Sequence, residues 1–63
     1  MTNANDELAY KLASEAQDGV IAITRLAKRM GVSHSEALVI ADRVVKYTYA
    51  KGFKSGGEFF LSV

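Results

Sequence analysis

The sequence predicts an α+β domain of three helices and a short three-stranded antiparallel sheet. Two places in the chain carry that expectation. At Gly31-Val32-Ser33 one helix must stop and the next must start almost at once. Glycine enters the left-handed conformation at a helix end without steric cost, and Ser33 with Glu36 three residues later has the spacing of a capping box. The second place is Gly56-Gly57, where two glycines supply the positive φ angles of a two-residue hairpin turn. With 63 residues, 49% of them hydrophobic, the chain has room for one domain spanning residues 1–63, near the lower size at which one core is stable alone.

The elements follow in order. Residues 2–5 are polar and expected to fray. Asn5 or Asp6 caps a first helix over residues 5–17, with Leu8, Leu12 and Ala16 on one stripe and Ala9, Tyr10 and Ala13 flanking it. Asp18-Gly19 ends that helix. Residues 20–23 are β-branched apart from Ala22, with Ile21 and Ile23 pointing the same way, which predicts a short strand. So short a strand needs a partner, and the C-terminal hairpin supplies one. A second helix covers residues 24–30, with Ala27 small where two helices approach closely. Leu26, Met30, Val32, Ala37 and Ile40 face the core. The third helix covers residues 34–51, with Gly52 as its stop. Residues 53–55 and 58–63 form the hairpin: Phe59, Leu61 and Val63 alternate with Glu58, Phe60 and Ser62, and Phe60 lies across from Phe53.

The third helix carries two apolar stripes, one through Ala37, Ile40, Ala41, Val44 and Tyr47 or Thr48, the other through Leu38, Val45 and Tyr49. A helix serving one core is polar on its second face. The excess is explained either by a partner protein or by wrapping of this helix by the first helix and the hairpin.

Net charge is only +1, but it is unevenly spread. Residues 1–19 hold Lys11 against Asp6, Glu7, Glu15 and Asp18, a net −3. Residues 20–63 hold seven cations against Glu36, Asp42 and Glu58, a net +4. This polarity would orient the molecule on a polyanion; a mixed solvated surface explains it equally well. The parts for enzyme chemistry are missing from the sequence. It has one histidine, His34, and no cysteine, so no disulfide, thiolate metal site or histidine pair is available. No catalytic residue, metal or cofactor is expected. No apolar run approaches the roughly 18 residues of a membrane span and no signal peptide is evident, so a soluble cytoplasmic protein is expected, nucleoid-associated if it binds DNA. An initiating Met1 and a strand ending at Val63 lead to the expectation of a complete small protein.

The order of helix, short strand, a helix pair joined at Gly31/Ser33 and a glycine-turned hairpin resembles the winged helix-turn-helix DNA-binding family over nearly the whole chain. The resemblance implies a small winged-helix fold: a three-helix helix-turn-helix core, a short three-stranded antiparallel sheet and a β-hairpin wing. It also implies a transcriptional regulator that docks the helix after Ser33 in the major groove of double-stranded DNA. Carried onto this chain, the groove-facing positions are Ser33, His34, Ser35, Leu38, Val39 and Asp42. Arg25, Lys28 and Arg29 become backbone anchors, Lys54 a wing contact and Arg43 a further contact, with Asp42 repelling phosphate unless Arg43 or Lys46 screens it. His34 is open to two readings, a base or phosphate contact or a plain exposed polar residue. No arginine, asparagine or glutamine stands at a groove position, so specificity is expected to be modest or to follow DNA shape. A homodimer is expected, through the acidic first helix or around Val45 and Tyr49. The alternative is a winged-helix protein-interaction module that uses the apolar face of Leu38, Val39 and Val45.

Overall fold

The computed structural model describes residues 3–63. Its elements are α1 (Ala4–Glu15), β1 (Val20–Ala22), α2 (Ile23–Met30), α3 (His34–Tyr47), β2 (Lys51–Ser55) and β3 (Glu58–Ser62). The strands form one antiparallel sheet in the order β1-β3-β2. The three helices pack together on one face of it, a winged-helix-like layout of α+β class. Among the described residues no helix is long and apolar enough to cross a membrane.

The α2–α3 corner forms as its residues require. Gly31 adopts φ 71° and ψ 33°. The Gly31 N–H donates to Lys28 O and the Val32 N–H to Ala27 O, satisfying the last carbonyls of α2. Ser33 Oγ then accepts from the Glu36 N–H at 3.1 Å and opens α3. At the hairpin, Gly56 and Gly57 both have positive φ, 58° and 79°, as a tight turn of matching twist demands.

The core is Ile21, Ile23, Leu26, Ile40, Val44 and Leu61, filled in by alanines from all three helices. Ile21 and Leu61 are register partners on the inner face of the sheet. The next row, Ala22, Phe60 and Phe53, lies on the outer face.

Several boundaries differ from the sequence expectation. Asn3, not Asn5 or Asp6, caps α1: its side chain accepts from the Asp6 N–H at 3.0 Å, so of the residues expected to fray only Thr2 lies outside the described residues. The buried stripe of α1 is Asp6, Ala9 and Ala13, while Leu8 is exposed and Leu12 half-buried. Alanines let α1 lie close against α2 and α3, and the larger leucines are displaced to the edge of that contact. Ile23 opens α2 instead of ending β1, yet still reaches the core.

The third helix ends at Tyr47, four residues early. Thr48 Oγ1 donates to Val44 O at 2.6 Å and accepts from the Ala50 N–H at 3.0 Å, so one hydroxyl closes the helix and bends the chain into β2. Gly52 is therefore a strand residue, not a helix stop. A Cβ built there would lie 3.0 Å from Phe59 Cε1 and 3.5 Å from Val45 Cγ2, so the absent side chain lets the strand approach α3 and the Phe59 ring.

Candidate nucleic-acid interface

Helical spacing divides the surface of α3. Ala37, Ile40, Ala41 and Val44 are buried. Leu38, Asp42 and Val45 turn toward the hairpin and, with Gly52 and Phe59, line an apolar groove of about 300 Å³. His34 and Ser35 precede Leu38 by one turn and are exposed, as are Ser33 and Glu36. Val39, 55% exposed, borders a shallow depression with Ser33, Ser35, Glu36 and Arg43. Ser33 and Ser35 hydroxyls are 3.3 Å apart, within hydrogen-bond reach of each other.

The hairpin adds to the groove side. Lys54 is the register partner of Phe59, so it shares the inner sheet face with Phe59 and Gly52 and extends beyond them toward the turn. Thr24 Oγ1 donates to Glu58 Oε1 at 2.8 Å, tying the first turn of α2 to the hairpin just after its turn. Lys28 lies one turn along from Thr24 on that stripe and is exposed. His34, Ser35, Leu38, Lys28 and Lys54 are thus carried by the three elements that frame the corner and the wing.

Arg25 and Arg29 are not brought to the α3 depression. They line a separate hollow of about 500 Å³ with the end of α1, β1 and Phe60, and the two hollows share no residue.

Arg43 borders the α3 depression and also holds Asp6: Nη2 lies 2.9 Å from Oδ1, and Nε lies 3.1 Å from each carboxylate oxygen. Asp6 is 1% exposed. The hydrogen bonds to Asp6 raise the Arg43 pKa above the ordinary arginine value, so the guanidinium is a fixed cation that locks α1 to α3. Once α1 buries the stripe of Asp6, Ala9 and Ala13, the acid needs a cation opposite, and Arg43, one turn after the buried Ile40, supplies it.

Val45 faces the groove inside the domain, whereas Tyr49, beyond the end of α3, is 99% exposed and Tyr47 is 59% exposed.

No family model, curated protein or solved structure matches this chain.

Proposed function

We propose that this protein is a small DNA-binding regulator that presents the first two turns of α3 to the major groove of duplex DNA. The observation carrying this reading is the corner itself. Gly31 and Ser33 set α3 at an angle to α2, leaving Ser33, His34 and Ser35 exposed at its tip. Free helical N–H groups and serine hydroxyls suit phosphate and base edges there. Leu38 and Val39, one turn deeper, suit thymine methyl groups. Lys28 and Lys54 neutralise flanking phosphates. Arg43, at the edge of the α3 depression, also fixes the position of α3 through Asp6. A homodimer fits the same reading, because two half-sites raise affinity, and the exposed Tyr47 and Tyr49 offer it aromatic surface.

Anisotropy of a labelled duplex over a salt series tests the reading. Binding at low salt is expected, with log K falling against log salt by about 0.9 for each neutralised phosphate. Absence of binding at low salt removes it. In that event the groove of Leu38, Val45, Gly52 and Phe59 favours the second reading, a module that takes an apolar side chain of a protein partner, with Asp42 at the rim to meet a cation.

A further inference from the structure

The outer face of the sheet has a feature that duplex binding through α3 does not use. Phe53 and Phe60 are cross-strand partners, and their rings stack with centroids 5.2 Å apart and planes 14° from parallel. Phe53 is 42% exposed. The register partner of Phe60 on its other side is Ala22, whose single methyl group leaves that flank open. The hollow of about 500 Å³ begins there, bordered by Phe60 and Ala22, and across it stand Arg25 and Arg29. Both arginines are exposed and one helical turn apart, about 6 Å along the axis. Glu15 is the one carboxylate in its lining, against two guanidiniums.

We propose that this face binds single-stranded nucleic acid, with a base extending the Phe53–Phe60 stack and consecutive phosphates held by Arg25 and Arg29. An aromatic pair offers every base the same π-face, and guanidiniums pair with phosphate oxygens in a fork. Duplex DNA keeps its bases stacked on one another and cannot supply the ring. The site is distinct from the α3 surface and does not depend on it.

The chain has no tryptophan, so Phe53→Trp places a single indole in the stack without removing its aromatic surface. The probe is an oligodeoxythymidylate of about 12 nucleotides, within the span that such stacking platforms cover. Saturable quenching of the indole is expected. In the wild-type background, Arg25→Gln with Arg29→Gln should weaken binding about tenfold or more and flatten the salt slope by about 1.4, the contribution of two single-strand phosphates. Phe60→Leu, which removes the ring bordering the hollow, should weaken it about tenfold with the slope unchanged, since stacking releases no counterions. His34→Ala with Ser35→Ala should leave it intact; a wild type that binds the oligonucleotide but no duplex would discard the α3 reading and spare this one.

Four results would overturn the proposal: no binding of the oligonucleotide at low salt; binding indifferent to both arginines; thymidine monophosphate binding as tightly as the oligomer; or self-association that Phe53→Ala abolishes, which would give the face to a second copy of the chain.

Discussion

Arg43 and Asp6 face each other across the α1–α3 contact, with both carboxylate oxygens engaged by one guanidinium and the carboxylate almost wholly out of solvent. Removing the arginine takes away the guanidinium that neutralises a buried carboxylate, whereas removing both partners removes the charge as well. Arg43→Met is therefore expected to lower the melting temperature by at least about 10 °C in a domain of this size. Asp6→Leu combined with Arg43→Met should recover most of that loss. Thermal denaturation followed by circular dichroism measures both; equal stability of Arg43→Met and wild type would contradict the assignment.

Gly52 sits where a methyl group must displace the Phe59 ring, because the built Cβ lies 3.0 Å from it. Its backbone is ordinary strand, so the cost is one of space. Gly52→Ala should destabilise the domain by about 1–2 kcal/mol, the usual penalty for overpacking, read from urea denaturation. A neutral or stabilising result would mean that Phe59 moves freely and that Gly52 does not set the groove.

Much of the fold was legible because its punctuation is local. Gly31 and Ser33 act through their own backbone and neighbours, and so do Gly56 and Gly57; each forms the structure its residue type requires. Sequence alone overextends the helix after Ser33, because Gly52 looks like a helix stop in one dimension. Its true reason, clearance for Phe59 and Val45, exists only once β2 lies against α3. The buried stripe of α1 is hidden for a related reason: Leu8 and Leu12 outweigh Ala9 and Ala13 in hydrophobicity, but close helix packing selects for small size. Arg43 read as a free cation because its partner lies 37 positions away. The split of the cations, Lys28 on the stripe tied to the hairpin and Arg25 with Arg29 on another, follows from how α2 is rotated against the sheet.

Self-association should be measurable and should depend on the exposed tyrosines at and just beyond the end of α3. Sedimentation equilibrium is expected to show a dimer at high micromolar concentration, with Tyr49→Ser shifting it to monomer. Tyr49 is the better site to change because it is 99% exposed, whereas Val45 is packed toward Gly52. A wild-type monomer throughout would remove the two-half-site picture.

In duplex binding, the cations and the helix tip should separate by their signatures. Lys28→Gln and Lys54→Gln should each weaken binding to all sequences alike and flatten the salt slope by about 0.9. His34→Ala and Ser35→Ala should alter preference among sequences more than overall affinity. Competition anisotropy with a panel of duplexes reads both; uniform loss from the His34 and Ser35 variants would make them backbone contacts, not readers.

The most direct measurement is amide chemical-shift mapping of the uniformly labelled protein during titration with duplex DNA. If α3 enters the major groove, the largest changes fall on residues 33–39, with a second set around Lys54 and the Gly56-Gly57 turn. Residues 12–17 and the outer sheet face stay still. Changes confined to Arg25, Arg29 and Phe60, or no change at all at low salt, would contradict a duplex-binding role for α3.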